Sequence, residues 1–189
     1  IVAFHELAML IDEEDRDRFM TRSQEIAKDN NVYLAMNYGY YVKDGKGANQ
    51  FLLIDDIGNT LLTYDKKYLL GIGDIAETAV FKKGPEIMQS VDTPYGRIGL
   101  SVCREIDMAK YLVQAGRQNV DIMISPAHEW PVNLVINYGY MRGIENGFSV
   151  VRPTYNGISF ASDFNGNVLA TMDFDKNETG IMYADVPTK

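Results

Sequence analysis

Short apolar runs alternate with amphipathic stretches along the chain. Residues 1–5 begin Ile1-Val2-Ala3-Phe4 and read as a buried strand. Asp12 then offers an N-cap, and Glu13, Glu14 and Asp15 suit the positive end of a helix. That helix should run to about Lys28, with Phe19, Ile26 and Ala27 on its apolar side. Residues 32–42 read as a Tyr-rich strand, followed by strands over 50–54 and 60–66. Residues 67–85 show no clear period, which is more often the mark of a functional loop than of filler. A strand over 86–93, a turn at Pro94-Tyr95-Gly96 and an apolar strand over 98–102 come next. A helix over 106–115 ends near Gly116, a buried strand covers 121–125, and a helix over 132–145 stops at Asn146-Gly147. Strands over 148–154, 158–164 and 168–174 are joined by hairpin signals at Asn156-Gly157 and Asn165-Gly166. A last strand is expected near 181–184. Crossovers mixed with hairpins predict a layered α/β fold with mixed sheets, in one domain over 1–189.

Composition narrows the chemistry. A chain of 189 residues, 46% apolar, can bury a core of its own. A net charge of −8 argues against a nucleic-acid binder and offers no basic patch to an anionic membrane. No apolar run approaches the roughly 18 residues of a spanning helix. One cysteine excludes an internal disulfide framework and a Cys-rich zinc site. Two histidines, His5 and His128, leave little for a His-based metal site, so neither metal nor cofactor is expected. The segment Gly71-Ile72-Gly73-Asp74-Ile75-Ala76 formally matches a dinucleotide-binding pattern. It reaches Gly84-Pro85 too soon for a crossover helix, so that reading is set aside. The chain opens already inside a strand, without an initiator Met, and is expected to be part of a longer domain.

Three residues stand where chemistry is done. Cys103 ends an apolar strand just before a helix, where a side chain is exposed and free N–H groups can hold an oxyanion. Buried packing is the plain alternative for a lone cysteine. A thiol nucleophile needs a base. His5 or His128 could serve, and so could Glu6, a carboxylate delivered to a strand end by four apolar residues. Lys66 also ends a strand, and its cation could stabilise a tetrahedral oxyanion.

Taken together and in order, Glu6, Lys66 and Cys103 resemble the nitrilase superfamily of carbon–nitrogen hydrolases. The motifs are Phe4-His5-Glu6, Tyr64-Asp65-Lys66-Lys67-Tyr68-Leu69 and Gly99-Leu100-Ser101-Val102-Cys103-Arg104-Glu105. The stretches Asp92-Thr93-Pro94-Tyr95-Gly96-Arg97-Ile98-Gly99 and Arg142-Gly143-Ile144-Glu145-Asn146-Gly147 look like the family's as well. Within it, Arg152-Pro153-Thr154-Tyr155-Asn156-Gly157-Ile158-Ser159 is most similar to the apolipoprotein N-acyltransferase branch. Tyr68 stands where His is usual, and Arg104 where an aromatic is usual.

The resemblance implies an α-β-β-α sandwich whose first strand and helix lie outside this chain. It implies that Glu6 deprotonates Cys103, and that Lys66 and the Arg104 N–H hold the oxyanion of an intermediate on the way to a thioester. Glu105 would brace the site. Asp74, with Glu77 as the alternative, would cap it from the 67–85 loop. Trp130 and Glu129, with Tyr68, would contact substrate. The acyltransferase reading implies a phospholipid acyl donor, a lipoprotein amine acceptor and an extracytoplasmic domain of a membrane protein. The alternatives are a soluble, cytoplasmic amidase acting on a small-molecule amide, and a catalytically silent binding domain. A homo-oligomer is compatible with each.

Overall fold

The computed structural model describes residues 1–71, 76–129, 132–176 and 180–189. The chain groups into two compact units, Ile1–Glu86 and Ile87–Lys189.

The first unit contains β1 (Val2–Ala3), β2 (Met9–Asp12), α1 (Arg16–Asp29), β3 (Leu34–Tyr41), β4 (Ala48–Ile54), β5 (Thr60–Asp65) and the single turn α2 (Glu77–Val80). β1 and β2 both run parallel to β3 on the same edge, and β3, β4 and β5 form an antiparallel meander. β4 is buried along all of its length. Its alternation sets two environments. Ala48, Leu52 and Ile54 join Leu34, Tyr38, Tyr40 and Ala27 of α1 in one apolar cluster, to which Phe19 and Met20 add. Asn49, Phe51 and Leu53 fall on the opposite face, with Asn37 of β3. The polar residues of this face gather the candidate site.

The second unit contains β6 (Ser90–Thr93), β7 (Gly96–Leu100), α3 (Ala109–Arg117), β8 (Ile122–Ile124), β9 (Ala127–Glu129), α4 (Val132–Asn146), β10 (Ser149–Arg152), β11 (Thr154–Asn156), β12 (Ile158–Ser162) and β13 (Val168–Asp173). Its main sheet runs β13-β12-β10-β8-β7-β6. The central strands β7, β8 and β10 are parallel, connected through α3 and α4, and the flanking pairs are antiparallel. In such a sheet the carboxyl ends of the parallel strands are where ligands bind.

Several elements differ from the expectation. Asp12 makes no side-chain cap, and Glu13–Asp15 form a 3-10 turn ahead of α1. The helix expected over 106–115 is a 3-10 turn at Cys103–Asp107 followed by α3. α3 runs past Gly116, and the left-handed residue that ends it is Asn119, at φ 54°. The strand over 86–93 is only Ser90–Thr93. The strand over 148–154 breaks at Pro153, which has no N–H for a ladder. Asn156-Gly157 therefore does not close a simple hairpin. β11 leaves the main sheet to pair in parallel with β9, while β10 pairs with β12. Asn165-Gly166 does close the β12–β13 hairpin, with Gly166 at φ 84°. Residues 181–184 form no strand; Ile181 and Tyr183 are exposed. Among the described residues, no helix is long and apolar enough to cross a membrane.

Candidate active site

In the first unit, Glu6 sits where one strand is broken into two. Leu7 adopts a left-handed backbone, φ 51°, and its N–H donates to Asn37 Oδ1 at 2.6 Å. The chain resumes pairing when the Ala8 N–H donates to the Asn37 carbonyl. This kink inserts Glu6, 2% exposed, into the polar face of the sheet. Lys66, one residue past β5, is equally buried. Its backbone is held on both sides: its N–H donates to the Asn49 carbonyl, and its carbonyl accepts from the Gly84 N–H.

The Lys66 ammonium donates to Glu6 Oε1 at 2.7 Å and to Glu77 Oε2 and Oε1 at 2.8 and 3.0 Å. Asn49 Nδ2 donates to Glu6 Oε1 and to Glu77 Oε1, each at 2.9 Å. Asn37 Nδ2 donates to Asn49 Oδ1 at 2.9 Å and so fixes which way that amide faces. Glu77 also accepts from the Leu70 N–H at 2.7 Å. One ammonium, two carboxylates and two amides thus form a buried network. Desolvating three charges is costly, so such a cluster is weak evidence of stability and better evidence of function.

In the second unit, Cys103 follows β7 with a left-handed backbone, φ 54°. A non-glycine residue in that region carries strain that clusters at functional sites. The Cys103 N–H donates to the Pro126 carbonyl at 2.7 Å. The Arg104 N–H lies in the first residues of the 3-10 turn, where N–H groups have no earlier turn to donate to. Glu105 is buried, and its Oε2 accepts the Val102 N–H at 2.6 Å, which ties the turn to the end of the strand. Arg152, the last residue of β10, is fully buried. It donates to the Cys103 carbonyl at 3.2 Å, the Ser125 carbonyl at 3.2 Å and Ser125 Oγ at 2.8 Å. Asp107 closes the turn. Burial pushes its carboxyl up, against the attraction of Arg152, Arg104 and Arg142.

The structure thus brings Glu6 and Lys66 together and gives Cys103, Arg104 and Glu105 the turn expected of them. Asp74 and Trp130 lie outside the described residues. Glu77, the alternative to Asp74, is in the Lys66 network. Glu129 ends β9 opposite Asn156, and Tyr68 is half-buried two residues beyond Lys66. His5 Nδ1 contacts the Glu6 carbonyl at 2.9 Å, and His128 stacks on Tyr155. Sequence reasoning missed Asn49, Asn37 and Ser125. Polar residues leading into an apolar buried run, as Asn49 and Gln50 do ahead of Phe51–Ile54 in β4, were the available signal. Among the described residues no group of three or more His, Cys, Asp or Glu could hold a metal ion.

A family model described as carbon–nitrogen hydrolase matches residues 3–189. Over 131 residues the chain is 30% identical to the nitrilase and fragile histidine triad fusion protein of Caenorhabditis elegans, a match covering 65% of this chain and 29% of that protein. Over 125 residues it is 24% identical to the deaminated glutathione amidase of Dictyostelium discoideum, covering 60% of this chain and 42% of that one. The chain therefore spans less than half the length of these relatives. An amidase from Nesterenkonia sp. AN1 superimposes with a TM-score of 0.80 at 20% identity, over 92% of this chain and 70% of that one. A carbon–nitrogen hydrolase from Helicobacter pylori G27 gives 0.83 at 17%, over 92% and 68%. These relatives fit the amidase alternative better than the acyltransferase expectation. The fold is thus the nitrilase type, α/β with mixed sheets, and the chain belongs to the carbon–nitrogen hydrolase family.

Proposed function

We propose that this chain cleaves the C–N bond of small amides through a thioester on Cys103, as an amidase. Glu6 takes the thiol proton and the sulfur attacks the amide carbon. The oxyanion is held by the Lys66 ammonium and the Arg104 N–H. The C–N bond then breaks, the amine leaves with the proton from Glu6, and the acyl group stays on sulfur. Water, deprotonated by Glu6, releases the carboxylic acid, and the thiol regains its proton. Glu77 and Asn49 fix the ammonium, and Glu105 braces the turn. Tyr68, Glu129 and Trp130 remain the proposed substrate contacts.

The observation that carries the reading is the buried Lys66, 2.7 Å from Glu6 Oε1 and bound to a second carboxylate. Such a cluster is expensive to bury, and catalytic use of its charges is a reason for a fold to keep it. Water is the proposed acceptor because the relatives are hydrolases; an acyltransferase would form the same thioester from an ester donor and send an amine to it.

The test is ammonia release from propionamide and related small amides, with mass spectrometry of the trapped adduct. Parent protein should release ammonia and carry an acyl group on Cys103. Cys103→Ser should keep its fold and lose both. Ammonia release at the parent rate by Cys103→Ser would refute the assignment.

A further inference from the structure

The carboxyl ends of β7, β8 and β10 are neighbours, and Arg152 reaches from the last of them across Ser125 to the carbonyl of Cys103. That carbonyl and the Arg104 N–H belong to one peptide unit. In a trans peptide they point in opposite directions. A donor that holds the carbonyl inward therefore turns the N–H outward. The Cys103 N–H is itself fixed by Pro126, so the peptides before and after the nucleophile are both anchored.

We infer that Arg152 is a positioning residue that sets the oxyanion donor of the site by clamping the Cys103–Arg104 peptide. It rests on the reading of Cys103 as the nucleophile. Three features support it. Arg152 is fully buried, so the contacts that its Nη1 shares among the Cys103 carbonyl, the Ser125 carbonyl and Ser125 Oγ are undiluted by water. Cys103 holds a left-handed backbone that an unclamped non-glycine residue leaves readily by a peptide flip. A cation on the carbonyl also polarises the peptide, which makes its N–H a better donor. Ser125 is part of the device: its Oγ and carbonyl both hold the guanidinium.

The lone cysteine allows two reactions to be compared at one sulfur. Acylation by p-nitrophenyl acetate passes through an oxyanion, whereas alkylation by iodoacetamide does not. Arg152→Met should slow the p-nitrophenolate burst about 100-fold, as loss of an oxyanion donor does, with alkylation within about 3-fold of parent. Arg152→Lys keeps one charged donor and should recover about a tenth of the parent rate. Should Arg152→Met fail to fold, Ser125→Ala tests the same clamp, with a fall of about 5-fold in acylation alone. An unchanged burst, or equal losses in both reactions, would overturn the inference. Ammonia release separates this from the functional reading. A parent protein that shows the burst but releases no ammonia contradicts the amidase proposal and leaves the Arg152 comparison standing.

Discussion

Glu77 grips Lys66 through both carboxylate oxygens, at 2.8 and 3.0 Å, from the single helical turn α2. Glu6 meets the same ammonium at one oxygen, 2.7 Å away. The two carboxylates thus have different tasks. One is enclosed by Lys66, Asn49 and Leu70 and serves as the anchor; the other stands at a kink in the chain, where we propose it moves a proton.

Removing the cation should be worse than neutralising either acid. Lys66→Met leaves two buried carboxylates facing each other and should cost about 3–5 kcal/mol. Glu77→Gln retains a hydrogen-bonding oxygen and should cost less, while slowing ammonia release. Urea unfolding of the two variants checks the order. A Lys66→Met variant as stable as the parent would show that the network is not held by charge.

Gly84 controls the position of Lys66 by its lack of a side chain. A Cβ there would lie 1.7 Å from the Asp65 carbonyl oxygen, a backbone atom that moves only with the strand. Gly84→Ala should therefore shift the end of β5, costing more than about 2 kcal/mol and most of the activity. At Gly71, the nearest atom to an added Cβ is Thr78 Cγ2, at 3.8 Å. Gly71→Ala should stay within about 0.5 kcal/mol of parent, so the pair of melting temperatures tests the close approach directly.

The sequence made strands legible where period and turn chemistry agreed. The run from Leu34 to Tyr41, the apolar half of β4 from Phe51 to Ile54 and the Asn165-Gly166 turn are local signals. Its failures are tertiary. Nothing local says that Pro153 sends β11 to a second partner, or that residues 181–184 have no strand to join. The site divides similarly. Glu6, Lys66 and Cys103 show as strand-end polar residues, and their order resembles a known family. Asn49 and Ser125 are polar residues at the edges of apolar runs, and their roles depend on what lies across the sheet. Arg152 was visible as part of a motif, but its function follows from a hydrogen bond spanning 49 positions of sequence.

Asp55 should shape acid stability. Burial works to raise its carboxyl pKa, but hydrogen bonds from the side chain and N–H of Asn59 and from the Ile57 N–H prevail and hold it below the usual range. A lowered folded value means stabilisation that is fully present above the unfolded pKa of about 3.9 and lost as pH falls through the folded one. Asp55→Ala should cost about 1–2 kcal/mol at pH 7, and its difference from parent should shrink below about pH 4. Unfolding curves at pH 7 and pH 3 decide it; a constant difference would mean that the turn is held by shape alone.

Asp107 should behave in the opposite sense. Its carboxyl is pushed up by burial, which outweighs the pull of Arg152, Arg104 and Arg142, and its Oδ1 has no hydrogen-bond partner among the described residues. The folded protein therefore binds this proton more tightly than the unfolded chain. Its contribution to stability is fully present below the unfolded pKa and is lost as pH rises through the folded one. Asp107→Asn removes the charge at similar size and should unfold at a higher temperature than parent at pH 7, with the gain vanishing near pH 3. If the Asp107→Asn variant instead melts below parent at pH 7 and that loss shrinks near pH 3, attraction to the three arginines outweighs desolvation. Burial then cannot be what perturbs the residue that ends the Cys103–Asp107 turn.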